Sequence, residues 1–364
     1  MSSSVPTSLY LKTRSVMATR RLWLALARLE TAVLGDELAA IELEAPIYVT
    51  GLARAGTTIV TEMLAQVAGV TSHQYADFPF IFTPYWRNWL AQRSQVGTPV
   101  TVERAHQDRI RVSVNSPEAF EEVLWMAFDR PLHHERTATP LAAAAAPAGF
   151  DRLYRDHVKK LLAVRGVRRY LAKGNYNLLR LRWLTEHVDN PRFIIMIRHP
   201  RWHVASLMKQ HALFLKAQEA DDRTGRQLAA SGHFEFGPLR RATGFAGEDG
   251  AREVESLWAA GENVRAWARL WAQAYTVLAE AIADPQLRPH LYCLQYEELC
   301  ERPESSIDQI AAHALLEDIA DVRNRYAEKL SAPTYYEPEF TFAERDALEE
   351  ETAPVAAKFG YGPL

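Results

Sequence analysis

The chain has 364 residues, 48% of them hydrophobic and 24% charged, enough to bury the core of one large domain or two ordinary ones. A formal net charge of −3 excludes the overall basic field that drives non-specific nucleic-acid binding, and two cysteines, Cys293 and Cys300, exclude a disulfide framework or a Cys-x-x-Cys zinc site. No stretch approaches the ~18 uninterrupted apolar residues of a membrane span, so a soluble, cytoplasmic protein is expected.

Residues 1–45 read as a mainly helical lead-in. Within it "RRLWLALARLE" (20–30) resembles a secretory signal at first, but Arg28 and Glu30 interrupt the apolar run and predict an amphipathic surface helix instead. The run Ile47, Tyr48, Val49 and Thr50 predicts a buried strand by its length and β-branching. A turn from Gly51 to Gly56 follows, and Ile59, Val60, Met63, Leu64 and Val67 then recur at helical spacing. Further short apolar runs, "RYLAK" (169–173), "RFIIMIR" (192–198) and "HLYCLQY" (290–296), alternate with helical segments. This alternation predicts an α/β fold of three layers, a mostly parallel sheet flanked by helices. A principal domain is expected over 46–345, with a tail over 346–364. The alanine-rich stretch 137–150 reads as a surface connection, and the polar, glycine-interrupted segment 216–256 reads as a lid.

The stretch "GLARAGTT" carries the first chemical signal. Glycine spacing from Gly51 to Gly56, between a strand and a helix, is that of a phosphate-binding loop, whose free N–H groups and helix dipole attract an anion. Thr57 stands where a nucleoside-triphosphate loop carries lysine, and Arg54 stands inside the loop. Ala55, Gly56, Thr57 and Thr58 are therefore expected to hold an anionic group other than a nucleoside triphosphate, with Arg54 supplying the charge. A second signal is "IRHPRWHVAS", where Arg198 ends an apolar strand and Ser206 lies in the next helix. A guanidinium fork and a hydroxyl suit one phosphate. His199 and His203 have metal-compatible spacing, but no third ligand stands nearby, and no metal is expected.

Together these two stretches resemble the nucleotide-binding motifs of sulfotransferases that use 3′-phosphoadenosine 5′-phosphosulfate (PAPS). Supporting pieces follow in family order: "SPEAFEEVLW" (116–125), "YLAKGNYNLLRL" (170–181), the helix around Trp267 and Trp271, and "LYCLQYEELCERP" (291–303). The sequence departs from the family pattern at His199 and at Gly174 to Asn177. The resemblance implies that the first motif cradles the 5′-phosphosulfate and that Arg198 and Ser206 hold the 3′-phosphate. It implies that Lys173 stabilises the leaving oxygen, and that Lys329 and Ser331 make late cofactor contacts, with Tyr335 placed to stack on the base. The implied acceptor is a small molecule, lipid or sugar.

A general base is also required. Candidates are Asp77, the one carboxylate at the distance from the first motif seen in tyrosylprotein-type relatives, then Glu118, with Glu121, Glu122, His133 and His134 behind them. Two other readings stay open: a nucleoside-triphosphate-dependent kinase on a related fold, and a nucleotide-binding protein without catalysis.

Overall fold

A computed structural model describes residues 5–93, 102–103, 111–128, 148–331 and 338–362. The fold is α/β, built on five parallel strands: β1 Ile47–Thr50, β2 Val70–Thr71, β3 Arg169–Lys173, β4 Arg192–Ile197 and β5 Leu291–Gln295, in the order β2-β3-β1-β4-β5. The four apolar runs named above form β1, β3, β4 and β5; the two-residue edge strand β2 is too short to leave a sequence pattern.

Register aligns the strand ends. Val49 lies opposite Lys173 on one side and Ile194 on the other, and Ile197 lies opposite Gln295. All C-terminal ends therefore open on one edge of the sheet. β1 is the turning point, since the chain builds β2 and β3 on one side of it and β4 and β5 on the other, which leaves a crevice at that edge.

Strands buried on both faces need apolar residues at every position, and β1 and β4 supply them: Ile47, Tyr48, Val49 and Phe193 to Met196 are wholly buried. Tyr48, Phe193 and Ile195 pack on one face beneath the helices Phe150–Arg165, Pro200–Ala220 and Asn263–Ala283. Val49, Leu171, Ile194 and Met196 pack on the other, against the helices Thr57–Leu64, Pro303–Ala314 and Ala320–Ala327. Each such buried Val, Leu or Ile contributes roughly 1.5–3 kcal/mol relative to exposure.

The lead-in forms the helices Thr7–Ala18, Arg20–Val33 and Gly35–Ala39. Glu30 is fully buried, its carboxylate 3.2 Å from Lys160 Nζ and accepting the Trp86 N–H at 2.7 Å. Removing one partner of such a pair costs about 3–5 kcal/mol, so this contact pins the lead-in to the helix Phe150–Arg165. Segment 216–256 holds the end of the helix Pro200–Ala220 and the helices Thr224–Ala230 and Gly247–Ala259. It sends Phe236, Phe245, Ala251 and Val254 into the main core. The helix Phe342–Ala356 runs across position 345 and buries Leu348 and Ala356 in that same core, with Glu351 bound by Arg265 and Arg269. No helix of the described residues is long and apolar enough to cross a membrane.

Candidate active site

The loop after β1 is held in a shape that only certain residues permit. Gly51 has φ 142°, and a Cβ there would lie 2.4 Å from the Met196 carbonyl oxygen. Gly56 has φ 102°, and its Cβ would lie 2.6 Å from the Tyr296 ring, so both glycines are sterically required. Arg54 itself has φ 74°, the left-handed region that costs a non-glycine residue about 1 kcal/mol or more. Three contacts hold the turn: Ala55 N–H donates to the Leu52 carbonyl at 3.1 Å, His203 Nε2 to that of Ala53 at 2.7 Å, and Arg198 Nη1 to that of Arg54 at 3.3 Å. Thr50 Oγ1 donates to the Gly174 carbonyl at 2.7 Å and ties the end of β1 to that of β3. The helix Thr57–Leu64 then begins at Gly56, with its first N–H groups lacking intrahelical acceptors.

Burial pushes His203 down to about 3, so its ring is neutral and serves as a support for the loop carbonyl. It lies one turn before Ser206 on the helix Pro200–Ala220, and Pro200 at the first helical position fixes where that helix starts. Ser206 Oγ accepts from Arg54 Nε at 3.3 Å.

Arg198 is the electrostatic centre of this side. It is 7% exposed, its guanidinium lies 5.0 Å over the Tyr296 ring, and the Trp271 indole N–H donates to its carbonyl at 3.2 Å. Its buried Nε has no hydrogen-bond partner, and no carboxylate among the described residues pairs with it. A buried guanidinium without a counter-charge is costly unless an anion joins it. Arg54, Arg198 and Ser206 thus converge beside the phosphate loop as the strand ends foreshadow.

A pocket opens next to them. It is lined by Ala53, Arg54, Thr57 and Thr58 from the loop and the helix it feeds, and by Glu118, Lys173 and Asn175. Lys173, at the end of β3, donates to Glu118 Oε1 at 3.2 Å. Glu118 also accepts from the Ala119 N–H at 2.8 Å and from the Tyr75 hydroxyl at 2.5 Å. Its remaining wall comes from segment 216–256 and the helix before it: Phe214, Leu228, His233, Glu235 and Phe236.

Asp77 does not line this pocket. Arg165 Nη2 donates to both its oxygens, at 2.9 and 2.7 Å, while Asn88 and the Gln74 N–H add bonds at 3.0 and 2.8 Å. Glu121 and Glu122 are also turned elsewhere. Glu121 accepts from Trp125, Tyr154 and Tyr170, and burial raises its pKa; Glu122 is gripped by Arg180 at 2.6 and 2.8 Å. Lys329 and Ser331 are exposed beyond the helix Ala320–Ala327, the former 5.0 Å from the Tyr326 ring, and neither lines the pocket. His133, His134 and Tyr335 lie outside the described residues.

Asn175, His233 and Glu235 are pocket residues that the motif reading passed over. The alternation in "HFEF" (233–236) carried a signal, because an extended backbone puts His233 and Glu235 on one side.

A glycine turn at the turning point of a parallel sheet, flanked by a buried arginine with no carboxylate partner among the described residues, is a setting suited to an anion in an α/β protein. Residues 46–233 match the sulfotransferase family, and the chain belongs to that family. No curated protein sequence matches it. In structure it is similar to sulfotransferase STF9 from Mycobacterium avium, at 13% identity over 92% of this chain and 82% of that one, with a TM-score of 0.51. It is also similar to sulfotransferase STF1 from Mycobacterium tuberculosis H37Rv, at 15% identity over 93% and 83%, with a TM-score of 0.46. The STF9 likeness is one of fold. Family membership makes the chain a transferase of the sulfotransfer class.

Proposed function

We propose that this protein transfers a sulfuryl group from PAPS to a hydroxyl or amine of a small-molecule, lipid or sugar acceptor and releases adenosine 3′,5′-bisphosphate. The observation that carries this reading is Arg198, buried with an unpartnered Nε beside Arg54 and Ser206. Arg198 and Ser206 fit a 3′-phosphate, and Arg54, the N–H groups at the start of the helix Thr57–Leu64 and the Thr57 and Thr58 hydroxyls fit the 5′-phosphosulfate. Thr57 in place of a lysine disfavours a nucleoside triphosphate.

The donor supplies an activated sulfuryl group; the chain orients it and manages charge and proton. Glu118 takes the acceptor proton as the acceptor oxygen or nitrogen bonds to sulfur. The bond from sulfur to the bridging oxygen breaks, and its electron pair stays on the departing phosphate. Arg54 and Lys173 meet that charge. The Glu118–Lys173 pair couples the two events: once Glu118 is protonated, its hold on Lys173 weakens and the ammonium charge turns to the leaving oxygen. Geometry favours Glu118 over Asp77 as the base because Glu118 lines the pocket and Asp77 is committed to Arg165.

Calorimetry tests the donor. Adenosine 3′,5′-bisphosphate is expected to bind more tightly than ATP, and Arg198→Ala to weaken it by roughly 1.5–3 kcal/mol, the value of a charged hydrogen-bonding partner. Equal or tighter ATP binding contradicts the reading.

A further inference from the structure

The geometry points to His233 as the residue that selects the acceptor: paired with Glu235, it donates its ring N–H to a neutral oxygen on an alcohol whose apolar body lies against Phe214, Leu228 and Phe236. This rests on the sulfuryl-transfer reading above and specifies its acceptor class.

His233 is held from several directions. Gly232 has φ 87°, and a Cβ there would lie 2.6 Å from Glu122 Cβ, so only glycine lets the chain pass this close to the helix that starts at Glu122. The His233 N–H donates to the Leu228 carbonyl at 2.9 Å, and the Phe234 N–H to the Tyr176 hydroxyl at 3.2 Å. The ring has Nδ1 3.7 Å from Glu235 Oε2, and Asn175 Nδ2 holds the other Glu235 oxygen at 2.7 Å. With Nδ1 turned to Glu235, Nε2 lies on the opposite edge of a ring that lines the pocket. Burial opposes charge on the imidazole, but the Glu235 carboxylate, with Glu118 behind it, outweighs that and raises its pKa. His233 thus stands as an N–H donor in the pocket that Arg54 and Lys173 also line.

The rest of this wall is apolar. Phe214 and Phe236 stack with centroids 6.2 Å apart, and Leu228 joins them. An acceptor seated there needs an apolar body, a hydroxyl reaching Glu118, and a second oxygen reaching His233. Charge narrows the class further. With Arg54 and Lys173 taken up by the donor's phosphosulfate and His233 by Glu235, the charges left to an acceptor here are those of Glu118, Glu235 and the polyanionic donor, so a carboxylate-bearing acceptor meets repulsion where a neutral one does not.

The experiment measures kcat/KM with PAPS and three acceptors of equal chain length: octan-1-ol, octane-1,3-diol and 3-hydroxyoctanoate. The wild type is expected to favour the diol over the plain alcohol by about tenfold, the value of one hydrogen bond, and to use the carboxylate least. In His233→Leu the diol-to-alcohol ratio should fall to near one, whereas His233→Gln, which keeps an N–H donor, should retain part of it. Binding of adenosine 3′,5′-bisphosphate by each variant reports folding. An unchanged ratio in His233→Leu, or a wild type that prefers 3-hydroxyoctanoate or uses none of the three, overturns the acceptor assignment alone. Failure of the wild type to bind the bisphosphate in preference to ATP overturns the donor reading as well.

Discussion

Two buried pairs of opposite charge stand by neighbouring strands: Asp77, which follows β2, with Arg165, and Lys173, the last residue of β3, with Glu118. Their exposures hardly differ: the Arg165 and Asp77 side chains are 11% and 3% exposed, those of Lys173 and Glu118 10% and 7%. What differs is where each carboxylate leads. Asp77 spends its oxygens on Arg165, Asn88 and the Gln74 N–H, away from the pocket wall, while Glu118 opens on the cavity that holds Arg54, Thr57 and Thr58. Burial of an ion pair therefore says little about its role; the company it keeps decides whether it is a strut or a tool.

The largest expected effect is at Asp77. Asp77→Asn leaves the Arg165 guanidinium buried without its counter-charge and should cost about 3–5 kcal/mol in denaturant unfolding, while the folded protein turns over near the wild-type rate. A small stability change with a large loss of turnover would reverse the two roles. Lys173→Ala acts on the other pair. It should lower turnover by about a hundredfold while bisphosphate affinity changes little, since the ammonium charge is needed most as the leaving oxygen develops. Near-normal turnover would make Lys173 a partner of Glu118 and nothing more.

The Asp77 side should also be the acid-sensitive one. His73 and His157 form a wholly buried pair there, Nε2 to Nε2 at 2.8 Å; burial lowers both, pushing His73 down to about 4. The folded pKa is below the unfolded value near 6.5, so the stabilising neutral state is fully present above that value and is lost as pH falls toward 4. His73 alone should account for about 2 kcal/mol by pH 5. Thermal unfolding scanned from pH 7 to 4.5 checks this, and a flat Tm over that window contradicts it.

Strands β1, β3, β4 and β5, the glycine turn and the Arg198–Ser206 spacing were legible because each is local: apolar length, φ requirements and helix periodicity are written within a few residues of one another. The partner of Asp77 was not, because Arg165 reaches it from another helix, and no spacing rule links positions 77 and 165. Glu30 is a similar case; a charge that interrupts an apolar run is buried because Lys160 meets it. The His233–Glu235 pair was visible as alternation in "HFEF", yet its polar, glycine-bracketed setting made the whole segment read as a lid.

Turnover of Glu118→Gln tests the assignment of the base most directly. The substitution keeps size and one acceptor oxygen but removes the carboxylate that takes the proton, so transfer from labelled PAPS at saturating acceptor should fall by roughly 10² to 10⁴ with bisphosphate affinity unchanged. A Glu118→Gln protein that transfers at close to the wild-type rate would contradict the central role given to the Glu118–Lys173 pair.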